Sequence, residues 1–169
     1  EAEAFIVSAV AFSADGAAVA AAALDGNLRV WRPGESRRPV LVRPAGGRIP
    51  AMATQPGGTL WAWSDEQGKV VLEDFGGGDQ REFAVPKGEV RALAFSRDGH
   101  LLAAGAGNGD IIVWNLDSPS LAPLSFTGHT SAVTALDFSP DGSLLVSGSL
   151  DRTLRLWDAS DPSVESVLF

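Results

Sequence analysis

Residues able to carry acid–base, nucleophilic or metal chemistry are sparse in this 169-residue chain. It has two histidines, His100 and His129, and no cysteine, and neither histidine has a second His or Cys at ligand spacing, so no zinc site is expected. Serines are plentiful, but no G-x-S-x-G turn presents one as a nucleophile and no G-x-x-x-x-G-K-S loop cradles a phosphate. Gly76-Gly77-Gly78 precedes no helical pattern and reads as a flexible hairpin. Asp15, Asp98 and Asp141 fall in separate turns, where Asp bonds its own downstream backbone, and are not expected to converge on one metal. No catalytic constellation and no cofactor site emerges. The one polar grouping with a physical rationale is His129, Ser147, Asp151 and Trp157: a carboxylate buried in a short connection needs donors, and those three other residue types supply them. Ser147 is chosen over Ser149, although both lie on one face of the same strand.

The elements that must position this group lie between Gly128 and Asp158, GHTSAVTALDFSPDGSLLVSGSLDRTLRLWD. Val133, Ala135 and Phe138 belong to one extended run, Ser139-Pro140-Asp141-Gly142 is a turn, Leu144-Leu145-Val146 opens a second run, and Leu154 to Trp157 makes a third. Three weaker copies precede this stretch. Aligned on the first apolar residue, Val7, Ile49, Val90 and Val133, the copies repeat at 42, 41 and 43 residues. The turn recurs as Ser13-Ala14-Asp15-Gly16, Gln55-Pro56-Gly57-Gly58 and Ser96-Arg97-Asp98-Gly99. The third run recurs as Leu28 to Trp31, Val70 to Glu73 and Ile111 to Trp114, and only the second copy lacks the tryptophan. Pro39 to Val42, Glu82 to Val85, Leu121 to Phe126 and Val164 to Phe169 are the candidate fourth strands.

Gly128-His129, Ser147-Gly148-Ser149-x-Asp151 and Trp157-Asp158 together resemble a WD repeat, the blade unit of a β-propeller. The resemblance implies an all-β fold of WD-repeat propeller type: four blades of four antiparallel strands, at about 5–44, 45–85, 86–127 and 128–169. It also implies that His129, Ser147, Asp151 and Trp157 form a hydrogen-bonded tetrad tying a blade together. The other copies are degenerate, with Asp25, Gln67 and Asn108 for Asp151, Glu3, Ala45 and Pro86 for His129, and Ala21, Trp63 and Ala104 for Ser147. Apolar packing between blades is expected to do most of the stabilising. WD-repeat propellers close with about seven or eight blades, so four blades read as half of a closed ring. The chain starts inside a first strand and stops at the counterpart of Phe126, and cuts at repeat boundaries expose blade flanks. A homodimer closing an eight-bladed ring by two-fold symmetry is therefore expected, with a complementary propeller chain as the competitor.

Composition agrees with an all-β chain: 19 Gly, 10 Pro, five Trp, eight Phe, and no 18-residue apolar run able to span a membrane. A net charge of −8 argues against a general affinity for nucleic acid or anionic membrane. Glu1-Ala2-Glu3-Ala4 resembles the remnant of a trimmed secretion leader and is set apart from the fold at 5–169. The absence of cysteine leaves the compartment open, with the cytoplasm favoured.

Two charge clusters stand out. Arg29, Arg32, Arg37, Arg38, Arg43 and Arg48 hold six of the 13 basic residues, and Arg37, Arg38 and Arg43 form a candidate basic patch for an acidic or phosphorylated peptide if they are more than a solvated face. Asp65, Glu66, Glu73, Asp74, Asp79 and Glu82 make the second copy acidic. The resemblance places the partner-binding face on the loops between second and third strands, carrying Leu24, Glu66, Gly107 and Leu150, and on the segments entering the first strands, carrying Arg48, Met52, Glu89, Arg91, Ser131 and Thr134. The expected function is a non-catalytic protein or peptide scaffold. Alternatives are a sugar-binding propeller using Trp61 and Trp63 as stacking platforms, or a designed or excised fragment with only a structural role.

Overall fold

The computed structural model describes residues 6–35, 37–74, 78, 80–86, 88–164 and 166–169, and every regular element among them is a β-strand. Sixteen strands form four separate antiparallel sheets, each taking four strands in chain order. Sheet 1 holds β1 (Val7–Phe12), β2 (Val19–Ala23), β3 (Asn27–Trp31) and β4 (Leu41–Pro44). Sheet 2 holds β5 (Met52–Thr54), β6 (Leu60–Ser64), β7 (Lys69–Asp74) and β8 (Arg81–Ala84). Sheet 3 holds β9 (Val90–Phe95), β10 (Leu101–Ala106), β11 (Ile111–Asn115) and β12 (Leu124–Phe126). Sheet 4 holds β13 (Val133–Phe138), β14 (Leu144–Ser149), β15 (Leu154–Asp158) and β16 (Val167–Leu168). Glu1 to Ala4, Gly76, Gly77 and Asp79, which figure in the sequence reading, lie outside the described residues.

The repeated turn is built as its residue types dictate. In sheet 4 the Ser139 hydroxyl donates to Asp141 at 2.5 Å and accepts the Leu144 N–H at 2.9 Å, while Asp141 also accepts the Ser143 N–H. Ser13 with Asp15 and Ser96 with Asp98 repeat this geometry. The serine hydroxyls, seconded by the backbone N–H groups, lower all three carboxyls below their ordinary value, Asp141 to about 2. The glycine closing each of these turns has a positive φ of 70 to 76°. In sheet 2 the positive φ moves one residue forward to Gly57, after Pro56, which suits a type II turn.

Several boundaries shift from the sequence reading. Ile49 is not in a strand: β5 begins at Met52, although Ile49 is fully buried at the position corresponding to Val90 and the Ser64 N–H still reaches Ala51 O. The fourth strands begin at Leu41, Arg81, Leu124 and Val167, because the register with the third strand (Leu28 with Arg43, Val70 with Phe83, Ile111 with Phe126) fixes where pairing is possible.

Neighbouring sheets approach through their first strands, β1 to β5, β5 to β9 and β9 to β13. Three apolar layers fill the spaces between them. Leu28, Val30, Ile49, Trp61 and Val71 lie between sheets 1 and 2; Val70, Leu72, Leu102, Ile112 and Trp114 between sheets 2 and 3; Ile111, Val113, Phe126, Leu145 and Trp157 between sheets 3 and 4. Both faces of the inner sheets are therefore covered, and small residues set the spacing. A Cβ on Gly105 would fall 2.6 Å from Val133 Cγ1 and 2.9 Å from Val133 Cβ. Gly105→Ala is expected to destabilise the fold by about 1–3 kcal/mol through overpacking of sheet 3 on sheet 4, read by urea denaturation.

Candidate functional site

Sheet 4 brings His129, Ser147, Asp151 and Trp157 into one continuous hydrogen-bonded group. Ser147 lies inward on β14, Trp157 is near the end of β15, Asp151 sits in the turn joining those strands, and His129 comes from the segment entering β13. Trp157 Nε1–H donates to Ser147 Oγ at 2.8 Å. An indole only donates, so the serine proton is left for His129 Nε2, 2.7 Å away, and His129 Nδ1–H faces Asp151 Oδ2 at 2.8 Å. Ser149 stands apart and donates to Ser131 O at 3.0 Å.

Two threonines that the sequence reading missed complete the group. The Thr153 hydroxyl donates to Asp151 Oδ1 at 2.6 Å and lies 3.1 Å from His129 Nδ1, and the Thr130 and Thr153 N–H groups also donate to the carboxylate. The signal for Thr153 was its place two residues after Asp151, the spacing at which Asx turns capture a backbone N–H. Desolvation alone would raise the Asp151 carboxyl, but the donors from Thr153, Thr130 and His129 outweigh it and hold the group well below its ordinary value. With every polar atom of the group engaged and the imidazole ring edge-on to Trp157 at 5.9 Å, the arrangement fastens strands together and offers no free nucleophile.

The degenerate copies replace the group differently. In sheet 1, Arg29 takes Asp25 with two contacts of 3.1 and 2.5 Å and lowers its carboxyl strongly. In sheet 3, Asn108 caps the same turn through the Asp110 N–H. In sheet 2, Trp63 stands where Ser147 stands in sheet 4, Asp65 caps the turn through the Gln67 and Lys69 N–H groups, and Glu73 replaces the tryptophan. Glu73 is buried and meets Arg43 of β4, from sheet 1, and Gln80 Nε2 at 3.0 Å, from the β7–β8 connection of its own sheet.

Two sequence expectations are corrected here. Arg43 does not join the exposed Arg37 and Arg38, because it is half-buried against Glu73. Trp61 and Trp63, 0% and 5% exposed, cannot offer a ring to a sugar, because both are packed between sheets 1 and 2.

The end of the molecule carrying the second-to-third-strand turns gathers most of the remaining candidates. Leu24, Glu66 and Leu150 are exposed and Gly107 is half-buried, and the N–H groups of Leu24, Gly107 and Leu150 bond to Ile6, Glu89 and Ala132 at the entrances to the first strands. Glu89 sits between Arg48 at 3.7 Å and Arg91 at 3.1 Å, an ion-pair chain linking sheets 2 and 3. Ser131 is half-buried and Thr134 exposed, whereas Met52 packs with the apolar layer between sheets 1 and 2. Arg37 and Arg38 lie on the β3–β4 connection, at the opposite end. That end also has an open groove of about 810 Å³ between sheets 1 and 2, with Asp15, Arg32, Glu35 and Asp74 on its walls. Among the described residues no group of three His, Asp or Glu side chains is placed to hold a metal.

This architecture defines a repeat protein of blade-like sheets. The family model described as WD domain, G-beta repeat matches residues 2–32, 79–115 and 123–158, more than half of the chain, and the chain belongs to this WD-repeat family. Most of sheet 2 falls between the matched segments, in keeping with Trp63 and Glu73 at two of its signature positions. No curated protein matches the chain.

His129→Ala removes a donor from Asp151 and a partner from Ser147 and is expected to lower unfolding stability by about 1–3 kcal/mol, measured by thermal or urea denaturation. The pH dependence has a fixed sign. Asp151 titrates below its ordinary 3.8 in the folded chain, so its contribution is complete above that value and is lost as the pH falls further. Asp151→Asn should make this acid limb of the stability curve shallower.

Proposed function

We propose that this chain is a non-catalytic scaffold that presents the turn-bearing end of its four sheets to a protein or peptide partner, and that its sheets form half of an eight-bladed ring completed by a second copy. WD repeats generally mediate protein–protein interaction. The observation that carries the scaffold reading is the composition of that end: apolar Leu24 and Leu150 exposed at hydrogen-bonded turn tips, with the Arg48–Glu89–Arg91 chain at the same end of the sheets. Ordered apolar anchors with a charged surround are what a peptide-binding surface requires. Arg37 and Arg38, at the other end, play no part in this reading.

The half-ring reading rests on the two outer flanks. Phe12 is 64% exposed, whereas Phe95 and Phe138, at the same position in sheets 3 and 4, are 7% and 8% exposed under the preceding sheet. Val10 is equally bare, and on the far side Leu144, Leu154 and Phe169 are exposed. Apolar patches of this kind mark association surfaces.

A displayed peptide library selected on the intact chain tests the scaffold reading. Selected peptides should lose at least about tenfold in affinity on Leu150→Asp, with melting unchanged because Leu150 is exposed. Failure to select any peptide, or binding indifferent to Leu150, Glu89 and Leu24 substitutions, would count against it.

A further inference from the structure

Arg48, Glu89 and Arg91 meet where the chain enters the first strands of sheets 2 and 3, and the backbone beneath each of them is anchored. Arg48 precedes the fully buried Ile49, and Glu89 and Arg91 flank the fully buried Val90. The Glu89 carbonyl also accepts the Gly107 N–H at 2.8 Å. The three side chains are thus projected from fixed points toward one another across the junction between the two sheets.

Their mutual contacts leave donors unused. Arg91 gives Glu89 Oε2 one hydrogen bond, from Nε at 3.1 Å, whereas Arg48 Nη1 lies 3.7 Å from Oε1, close enough for attraction but too far for a hydrogen bond. A guanidinium donates through a planar fork of N–H groups that matches a carboxylate, and among the described residues no second acid lies within ion-pair distance of either arginine. The two arginine side chains are 49% and 45% exposed, so the remaining donors are open to water. Two cations against one carboxylate leave a surplus positive charge at this spot, in a chain whose net charge is −8. Ion pairs this exposed contribute little to stability, and the apolar layer of Val70, Leu72, Leu102, Ile112 and Trp114 already joins these sheets, so fastening them does not account for the trio.

We infer that Arg48 and Arg91 form a clamp for a carboxylate of the peptide partner, an Asp or Glu side chain, and that Glu89 is its built-in competitor, occupying the clamp until the partner's carboxylate takes the free donors. The inference rests on the scaffold reading and names the partner chemistry which that reading leaves open. A carboxylate is the occupant because its single charge matches the surplus and its two oxygens match the forks. Glu89 itself demonstrates that such a group reaches both guanidiniums at once. Removing Glu89 therefore has a predictable sign: it frees the clamp.

Peptides selected on the intact chain, measured by fluorescence anisotropy against the wild type and against Arg48→Gln, Arg91→Gln and Glu89→Gln, test this, with thermal melting confirming that each variant is folded. Selected peptides should carry Asp or Glu. Exchanging that residue for its amide, or introducing either arginine substitution, should weaken binding about tenfold, the loss of one charge-assisted contact. Glu89→Gln should tighten binding several-fold with melting unchanged, a direction that a merely structural ion pair would not give. Selected peptides without an acidic residue, acidic peptides indifferent to both arginine substitutions, or weaker binding to Glu89→Gln would overturn the clamp and leave the scaffold reading standing. A phosphoserine peptide that binds more tightly than its Asp counterpart would overturn the carboxylate assignment. Failure to select any peptide would overturn both readings.

Discussion

A four-stranded antiparallel sheet has two faces, and in this protein only another sheet can cover either of them. Everything else follows from that constraint. No helix is present among the described residues to cap a face, and strands of two to six residues cannot fold back over their own sheet. Burial is therefore shared between neighbours, with a third-strand residue of one sheet, a fourth-strand residue of the preceding one and the small residues of the second strands interlocking at each junction. This is nearest-neighbour stabilisation of the kind that makes repeat proteins quasi-one-dimensional.

The hydrogen-bonded group in sheet 4 serves the same end by a different route. It joins the segment entering β13 to the turn between β14 and β15 and to the end of β15, so that the sheet cannot splay while its apolar faces are being covered. Where the group is missing, the sheets substitute other fasteners: a bidentate Arg29–Asp25 pair in sheet 1, an Asp65 cap in sheet 2 and an Asn108 cap in sheet 3. The solutions differ chemically, but each satisfies the same turn.

Much of this was legible in the sequence, and the failures have physical causes. The Ser-x-Asp-Gly turns were readable because each residue has a local job, which is why they appear at the stated places with the stated bonds. The grouping of His129, Ser147, Asp151 and Trp157 was readable because a carboxylate in a tight connection demands donors. Leu60-Trp61-Ala62-Trp63 misled the sugar reading because aromatic residues on a strand buried from both sides show no alternation to distinguish core from surface. Arg43 misled the basic-patch reading because its partner, Glu73, is thirty residues downstream and in another sheet, a distance over which one sequence gives no pairing signal.

The Arg43–Glu73 pair also fixes the order of the repeats. The junctions leading into sheets 3 and 4 place a phenylalanine on a tryptophan and carry no charge there. Sheet 2 placed after sheet 3 would bury the Glu73 carboxylate against Phe126, with no cation to answer it. One charge pair therefore acts as a key in an otherwise repetitive array, making the first two repeats a unit that shuffling or duplication of single repeats cannot divide without loss.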